Sequence, residues 1–394
     1  MLGRTRLFLY IAVLLLCVVP SLQTQIRKSR EQALGQYRDL SLETRERIED
    51  PGWWPTKGDA AESEYADPGA CAECHRDLAA AQHETPMYKA GRRPDDAEVL
   101  ERHPNLTFDE GGFTYLLKSG SNGTTLTVGR GSNVESEKVT WAFGEGEVGQ
   151  TYLFKKDQTY LESRVSYYTT LNALSITAGQ RVDVPSTMEQ AFGKPLQWQE
   201  TQSCFACHTT MSTTSNTFHA DSAVPGVTCQ ACHGPGANHI KAMTGGSGEK
   251  ANIFNPGVLP PATSVDFCGA CHRTWADITL DMVDTGIIDV RFQPYRLENS
   301  RCWRAGADAR ITCVACHDPH RPLVRDLSTY DKNCLSCHTR GVHAGGLKAP
   351  VAICKVSTAH CVSCHMPKYV VPQARASFTD HDIRIVHPGD RFPE

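Results

Sequence analysis

The 394-residue chain has no excess of charge of one sign. Its 40 basic and 44 acidic residues nearly balance and leave a net charge of −4. Nucleic-acid-binding proteins usually carry a strongly basic patch, so this balance argues against a nucleic acid as partner. Apolar residues are also sparse for a globular domain of this length, at 40% of the chain. The side chains therefore offer less apolar material for a core than a domain of this size normally has.

The N-terminal apolar run is too short for a clear membrane span. It covers Leu7–Val19 and follows two basic residues, whereas a spanning helix needs about 20 apolar residues. A basic start before such a run is typical of an export signal. Because no clear small-x-small cleavage site follows, residues 1–22 are predicted to be either a signal peptide or an uncleaved signal anchor. Lipidation of Cys17 is a third alternative, which the large residue before it disfavours.

Cysteine, in contrast, is abundant and regularly spaced. The chain has 17 cysteines, of which 14 lie in seven copies of Cys-x-x-Cys-His, numbered motifs 1 to 7 in chain order. The cysteine pairs are Cys71 and Cys74, Cys204 and Cys207, Cys229 and Cys232, Cys268 and Cys271, Cys313 and Cys316, Cys334 and Cys337, and Cys361 and Cys364. The histidines that close the motifs are His75, His208, His233, His272, His317, His338 and His365.

Cys-x-x-Cys-His is the attachment signature of c-type haem. The two thiols add to the vinyl groups of one porphyrin, and the histidine binds the iron as its proximal ligand. Zinc knuckles, redox dithiols and disulfides also use paired cysteines, but a zinc knuckle does not require histidine after the second cysteine. Because only 16 of 394 residues are histidine, finding it after all seven pairs by chance has a probability of roughly 10⁻¹⁰. We therefore predict seven covalently attached haem c groups, each of which adds apolar material to the core.

Two further cysteines belong to no motif and do not lie in the N-terminal segment. They are Cys302 and Cys354. In an oxidising compartment they could form a disulfide, or they could stay as buried free thiols. The sequence favours neither alternative.

Beyond the N-terminal segment the chain divides into a linker and a haem domain. Residues 23–66 are charged and helix-compatible and are predicted to be a charged helical linker. Residues 67–385 are the predicted haem domain, in which motifs 2 to 7 crowd into 204–365. Between motifs 1 and 2 a long stretch has no cysteine, and about 105–170 is predicted to be a β-rich insert.

Turn and strand patterns predict the individual strands of this insert. A hairpin is predicted from residues 113–117 and 124–128, which flank a turn that contains Asn122-Gly123. Further strands are predicted at 138–143, 151–155 and 160–168. We expect these strands to form a small antiparallel sheet.

A haem iron bound by one histidine has a sixth position to fill. A second histidine gives a closed, low-spin iron suited to electron transfer, whereas an open position lets a substrate bind. Nine histidines lie outside the motifs, which is enough to close all seven irons. The count therefore favours electron transfer over catalysis.

The nine histidines differ as distal ligands. Two of them follow tight turns directly after a motif and can reach a neighbouring haem, and a third lies beyond the last motif without another evident role. These strongest candidates are His239, His320 and His381. A second group consists of His83, His219 and His343. The others, equally well explained as surface or second-shell histidines, are His103, His360 and His387.

Sequence stretches around the motifs are also distinctive. They include Cys-His-Gly-Pro-Gly-x-x-His at 232–239, Cys-His-Asp-Pro-His at 316–320 and Thr-Asp-His at 379–381. With the stretches around motif 1 and at 143–153, they resemble the exported multihaem cytochromes related to the tetrahaem cytochrome c-554 of nitrifying bacteria. That group overlaps the superfamily of hydroxylamine oxidoreductase and multihaem nitrite reductase. The resemblance spans roughly residues 66–385.

This resemblance implies a mainly α fold that is packed around haem and has little regular secondary structure. The predicted fold class is therefore a mainly α, haem-packed multihaem cytochrome c with a small β-rich insert between motifs 1 and 2. The resemblance also implies stacked haem pairs, and it supports His239, His320 and His381 as distal ligands.

The chain departs from the enzymes of this superfamily. It has no Cys-x-x-Cys-Lys motif, which the nitrite reductases carry at their catalytic haem. Hydroxylamine oxidoreductases have eight haems and a tyrosine cross-linked to the catalytic one, whereas this chain has seven motifs and no tyrosine that can be assigned that role.

Two functions follow as hypotheses. The favoured one is an exported electron-transfer protein, periplasmic or held at the membrane by its N-terminal segment. It would connect a membrane quinol-linked donor to a periplasmic or extracellular acceptor, and no catalytic residue is assigned. The alternative is an oxidoreductase with one open haem that acts on a small nitrogen or sulfur compound, with His103 or His360 handling protons. Nothing in the sequence supports a third class, a haem-based sensor.

Overall fold

A computed structural model describes residues 53–246, 252–279, 286–300, 303, 311–338, 353–387 and 389–393. All seven motifs lie within these ranges. The predicted N-terminal segment, residues 23–52 of the predicted linker, Cys302 and His343 lie outside the described residues. In the described part of the chain no helix is both long and apolar enough to cross a membrane.

A nine-stranded antiparallel sheet occupies the long gap between motifs 1 and 2. Its strands are β1 Gly91–Arg92, β2 Asn105–Glu110, β3 Phe113–Gly120, β4 Gly123–Arg130, β5 Asn133–Phe143, β6 Gly149–Lys156, β7 Thr159–Tyr168, β8 Ala173–Ile176 and β9 Gly193–Pro195. Strands β2 to β8 follow one another in order, while β1 pairs with β5 and β9 pairs with β7. Because β2 also contacts β8, the sheet is nearly closed on itself.

The strands form because apolar and polar side chains alternate along them. On β3 the buried positions are Phe113, Tyr115 and Leu117, and the residues between them are more exposed. In the register of β3 and β4, Tyr115 faces Val128 and Leu117 faces Leu126. Successive side chains of a strand point to opposite faces, so these residues line one face. They pack there with the buried residues of the other strands into one hydrophobic core.

The predicted hairpin is confirmed, with a small shift of its turn. Strands β3 and β4 pair up to Gly120 and Gly123, so the two residues of the turn are Ser121 and Asn122. Gly123 is the first residue of the next strand, and its φ of +93° is a conformation that glycine adopts without strain. The strands predicted at 138–143, 151–155 and 160–168 are also present, within β5, β6 and β7.

The rest of the described chain consists of short helices and two-stranded pairs. The α-helices are α1 Cys71–Cys74, α2 Arg76–His83, α3 Glu98–Arg102, α4 Met188–Phe192, α5 Trp198–His208, α6 Cys229–His233, α7 Ala237–Thr244, α8 Pro261–His272, α9 Trp275–Thr279, α10 Gln293–Asn299, α11 Asp331–Leu335 and α12 Cys361–His365. Single 3-10 turns lie at Glu62–Glu64, Pro94–Asp96, Pro256–Val258, Ile287–Arg291, Cys313–Ala315, Leu327–Tyr330 and Pro372–Ala374. The remaining strands are β10 Thr209–Thr210, β11 Thr213–Thr214, β12 Thr217–Phe218, β13 Val224–Pro225, β14 Lys368–Val371 and β15 Ala376–Thr379. They pair as β10 with β13, β11 with β12, and β14 with β15.

The predicted fold class, mainly α with a small β-rich insert, is wrong. The sheet has seven strands in continuous order and two more at its margins, and it is nearly closed. The expectation of an α fold came from stretches close to the haem motifs, where the helices indeed lie. The segment between motifs 1 and 2 is long enough to bury a hydrophobic core of its own, and the sheet is the result.

An aromatic cluster joins the sheet to motif 2. Trp141 and Phe143 at the end of β5 pack edge-on against Phe205, the residue after the first cysteine of motif 2. Tyr160 of β7 and Phe218 of β12 contact the same ring. Phe205 is fully buried, so the sheet provides a rigid base on which this motif lies.

Candidate haem-binding sites

Every motif folds as a helical turn. Motifs 1, 3 and 7 begin the helices α1, α6 and α12, while motifs 2 and 4 end α5 and α8. Motif 5 lies on a 3-10 turn, and motif 6 begins within α11. Side chains three and four residues apart lie on the same side of a helix. This brings both thiols and the imidazole of a motif to one side, where one porphyrin can meet all three.

Backbone hydrogen bonds hold these turns in shape. In three of the motifs, the N–H of the histidine donates to the carbonyl of the first cysteine. The N···O distances are 2.9 Å from His75 to Cys71, 2.9 Å from His317 to Cys313 and 3.0 Å from His338 to Cys334. The attachment geometry is thus formed by the chain itself.

Three proximal histidines have one ring nitrogen engaged by a backbone carbonyl. The Nδ1 atom of His208 lies 2.8 Å from the oxygen of Ala90, and that of His365 lies 2.8 Å from the oxygen of Arg384. For His233 the same contact, to Phe254, is 3.0 Å. A carbonyl oxygen only accepts hydrogen bonds, so Nδ1 must carry the proton. The lone pair then lies on Nε2, which is the arrangement that a metal-binding histidine needs.

Burial keeps several of these imidazoles neutral. Desolvation lowers the pKa of His208 and His272. It also lowers the pKa of His233 and His317. Only the neutral ring has a lone pair for iron, so burial favours the form that binds.

Two proximal histidines face a histidine from elsewhere in the chain. The ring centres of His233 and His320 are 6.0 Å apart, and those of His317 and His381 are 6.2 Å apart. A metal–imidazole bond is about 2 Å long and the ring nitrogen lies about 1 Å from the ring centre. Two imidazoles on one metal ion therefore have centres about 6 Å apart. The spacing of both pairs fits one iron between them.

The environments of the two distal rings differ. His381 is partly buried, and desolvation lowers its pKa to about 4, while its Nδ1 lies 3.0 Å from the carbonyl oxygen of Thr379. His320 is more exposed, and its Nδ1 lies 3.5 Å from a carboxylate oxygen of Asp318. Asp318 also accepts a hydrogen bond of 2.9 Å from the backbone N–H of His320, which fixes the turn after motif 5.

The other predicted distal ligands face no proximal histidine at this spacing within the described residues. His239 lies on α7, and its Nδ1 is buried without a hydrogen-bond partner. His83 ends α2 and stacks on Tyr88, with ring centres 4.1 Å apart. His219 is exposed, next to β12. Ligation by His83, His219, His239 and His343 therefore stays a prediction.

The three remaining histidines have other surroundings. His103 lies beside the sheet, where its Nε2 is 3.3 Å from the hydroxyl of Tyr167 on β7. Its ring also packs against that tyrosine. His360 has a φ of +58° before α12 and is exposed, as is His387. The pairing of His103 with Tyr167 had no signal in the sequence, because the two residues belong to separate elements.

Cysteines of different motifs lie within hydrogen-bonding reach of one another. These pairs are Cys71 with Cys229, Cys207 with Cys271, Cys268 with Cys313, and Cys334 with Cys361. Closeness also makes Cys232 interact electrostatically with Cys268, and Cys316 with Cys334. Motifs 1, 3, 4, 5, 6 and 7 thus form a connected series, with motif 2 beside motif 4.

Motif 2 has a neighbour that the sequence did not indicate. The ring of Phe143 stacks on that of His208, with centres 4.9 Å apart and planes 12° from parallel. Gly91 of β1 also approaches this histidine, and a Cβ at that position would lie 2.2 Å from the His208 carbonyl oxygen. The edge of the sheet therefore holds the proximal histidine of motif 2 on two sides.

Comparison with known proteins gives one match. The family model described as cytochrome c554 and c-prime matches residues 165–234, a range that includes motifs 2 and 3. Neither the curated proteins nor the solved structures contain a significant match. The family match supports a c554-type cytochrome, which is a haem c protein involved in electron transfer. It does not extend to the other five motifs.

Proposed function

We propose that this protein is an exported heptahaem cytochrome c that transfers electrons along closely spaced, mostly bis-histidine haems. Its donor would be a membrane redox system and its acceptor a periplasmic or extracellular partner. The seven motifs support the number of haems. The match of residues 165–234 supports the class of protein, whose members are generally exported.

The observation that carries this proposal is the presence of two pairs of opposed histidines. His233 with His320, and His317 with His381, are 6.0 and 6.2 Å apart between ring centres. Two histidines on one iron leave no position for a substrate, and such closed irons serve electron transfer. We therefore propose His320 as the distal ligand of motif 3 and His381 as the distal ligand of motif 5.

In this proposal the cysteines, the histidines and the backbone carbonyls of the chain each have a separate role at the haem. Haem c supplies a one-electron iron couple at each motif. The cysteines attach it, and the proximal histidines bind the iron through Nε2. The carbonyls of Ala90, Phe254 and Arg384 accept from Nδ1 of three of these histidines, which fixes each ring and raises its basicity.

The contacts between cysteines of successive motifs support transfer between haems. The thiols of motifs 3 and 4, of 4 and 5, and of 5 and 6 interact with each other in this structure. Groups attached at neighbouring cysteines must lie close together. Electrons can then pass through the series without large movements of the protein.

A second candidate function rests on motif 2. Phe143, and not a histidine, is the ring neighbour of His208 among the described residues. Phe143 lies against the face of the His208 ring and supplies no ligand, so if no histidine reaches an iron bound there by His208, its sixth position is open to an external ligand. The protein would then be an oxidoreductase for a small nitrogen or sulfur compound, with the other haems as its supply of electrons.

Low-temperature EPR of the oxidised protein, combined with its mass, tests the proposal. The mass should exceed that of the mature polypeptide by seven haems, and a lower number would show that some motifs are not used. Low-spin signals that nitrite, hydroxylamine and cyanide leave unchanged support electron transfer. A high-spin signal that shifts on adding one of these ligands overturns it in favour of the open-haem enzyme.

A matched pair of variants tests the ligand assignment. His381→Ala should convert one low-spin haem to high spin, because it removes the proposed distal ligand of motif 5. His387→Ala is the control, since His387 is exposed and lies on the same C-terminal segment. Unchanged EPR signals in His381→Ala would show that the assignment is wrong.

A further inference from the structure

A network of largely buried charged side chains flanks His381 along the chain. It joins Arg296, on helix α10, to Asp380, Asp382 and Arg384, on the segment after β15. Two positive and two negative side chains leave no net charge in the network. The segment from Thr379 to Arg384 carries His381 itself and also the carbonyl that accepts from His365 of motif 7.

We infer that Arg296 and Asp380 are a positioning pair that holds axial ligands of two haems at once, those of motifs 5 and 7. The inference deepens the proposed function and rests on it for the ligand role of His381. Neither residue would touch iron. Both would act through the backbone on which the ligands depend.

The geometry of the pair is bidentate. The distance from Arg296 Nε to Asp380 Oδ1 is 2.8 Å, and from Arg296 Nη2 to Asp380 Oδ2 it is 3.0 Å. The side chain of Arg296 is 3% exposed and that of Asp380 is fully buried. A planar guanidinium that bonds both oxygens of a carboxylate fixes its orientation as well as its position. Asp380 directly precedes His381, so a fixed orientation of Asp380 also constrains the backbone of His381.

Ser300, the residue that follows α10, attaches the backbone around His381 to the end of this helix. The hydroxyl of Ser300 donates to the carbonyl oxygen of His381 at 2.8 Å and accepts from the N–H of Ile383 at 2.8 Å. Ser300 is fully buried. The N–H of Asp382 also donates to Asp380 Oδ1 at 3.0 Å. The backbone on both sides of His381 is therefore tied to one helix end.

The link to motif 7 runs through Arg384. Its guanidinium bonds Asp380 Oδ2 at 2.5 Å and the hydroxyl of Tyr369 at 2.8 Å. Its carbonyl oxygen lies 2.8 Å from Nδ1 of His365, the proximal histidine of motif 7. A rearrangement of Asp380 would thus reach the distal ligand of one haem and the hydrogen bond of the proximal ligand of another.

This arrangement predicts that breaking the pair has a spectroscopic effect and not only a structural one. A buried charge that loses its partner forces its surroundings to rearrange. In Asp380→Asn and in Arg296→Gln we expect at least half of one haem to change from low spin to high spin. The new signal should match that of His381→Ala, and added imidazole should remove it. Arg296→Lys keeps the charge but not the bidentate geometry and should show a smaller conversion.

The effect on two haems is the second readout. In a potentiometric titration, Asp380→Asn should shift the midpoint potentials of two haems, whereas the other haems should keep theirs. Arg375→Gln is the matched control. Arg375 lies between β14 and β15, just before the segment of Asp380, but it donates to the carbonyl oxygen of Ile176 in the sheet. It should change neither the spin state nor the potentials.

The outcomes separate this inference from the proposed function. If His381→Ala gives a high-spin haem but Asp380→Asn and Arg296→Gln keep all haems low-spin with unchanged potentials, the positioning role is refuted and the ligand assignment stands. If His381→Ala itself has no effect, the ligand assignment fails first. Should the charge variants not assemble with a full set of haems, Ser300→Ala replaces them. It removes two hydrogen bonds without isolating a charge, and an unperturbed motif 5 haem in that variant would also refute the inference.

Discussion

The sheet between motifs 1 and 2 and the helical region from motif 2 onward are built on different principles. The sheet has a continuous apolar core, in which residues such as Leu126, Val128 and Val165 have no exposed surface. In the helical region, α7 buries none of its side chains and α6 buries only Gln230. The sheet is stabilised by its own side chains, whereas the helical region buries fewer apolar side chains, such as Val265 and Phe267 of α8 and Leu297 of α10.

This difference accounts for the low apolar content of the chain. If each motif attaches a porphyrin, as we propose, this region does not need apolar side chains to fill the space between its helices. The stability of such a region depends on the cofactor, because short helices are not stable without tertiary packing. The sheet carries no motif on its strands, so we expect it to fold without haem.

Removing haem should produce the largest difference between the sheet and the helical region. We expect the haem-free chain, produced in a compartment without haem attachment, to keep slow amide hydrogen exchange in β3 to β7. The segment 204–365 should exchange as fast as an unfolded chain, because its core would be missing. Hydrogen exchange followed by mass spectrometry measures both regions in one sample, with the haem-loaded protein as control. Equal protection of the two regions would show that the helical part does not depend on haem.

A cavity-creating substitution in the core of the sheet tests the same comparison by destabilising the sheet instead of the helical region. Leu126→Ala removes a fully buried side chain from the core of the sheet and should lower the free energy of unfolding of the sheet by about 3 kcal/mol. It should leave the haem content and the EPR signals unchanged, because Leu126 lies in the sheet core, away from the motifs. Thermal or denaturant unfolding followed by circular dichroism of the strands is the measurement.

Val134→Ala is the matched control for this variant. Val134 lies on the neighbouring strand β5 but is 60% exposed, so its loss should change stability by less than about 0.5 kcal/mol. A loss of haem in Leu126→Ala at temperatures where the sheet is still folded would contradict the independence of the two regions.

The parts of the structure that could be predicted from sequence are those set by neighbouring residues. The hairpin of β3 and β4 follows from alternation and a two-residue turn, and the haem motifs follow from a spacing of three and four residues. Four strands were missed. The short strands β1 and β9 gain their place by pairing with strands distant in sequence, and β2 and β8 extend the sheet beside their sequence neighbours β3 and β7. The prediction of the fold class was wrong because closure of a sheet depends on pairing between strands that are distant in sequence.

The same limit applies to the ligands of the candidate sites. The proximal histidines are encoded by their motifs, but a distal histidine is selected by three-dimensional packing. Two of the three strongest candidates, His320 and His381, face a proximal histidine in the structure, whereas His239 does not. The roles of Phe143 and Gly91 beside His208 could not be predicted either, because strand pairing alone brings them there.

The contact between the two regions gives the smallest and most local prediction. In Gly91→Ala the new methyl group would lie 2.2 Å from the carbonyl oxygen of His208, a backbone atom that cannot move aside cheaply. We expect a loss of about 1 kcal/mol in stability and a shift of one EPR signal, that of the motif 2 haem, because His208 must move relative to Ala90. Gly120→Ala is the control, since no atom lies within 4 Å of a Cβ at that position. If Gly91→Ala left every haem signal unchanged, the sheet would be a neighbour of the haem region without influence on it, and the two parts of the molecule would be independent even where they touch.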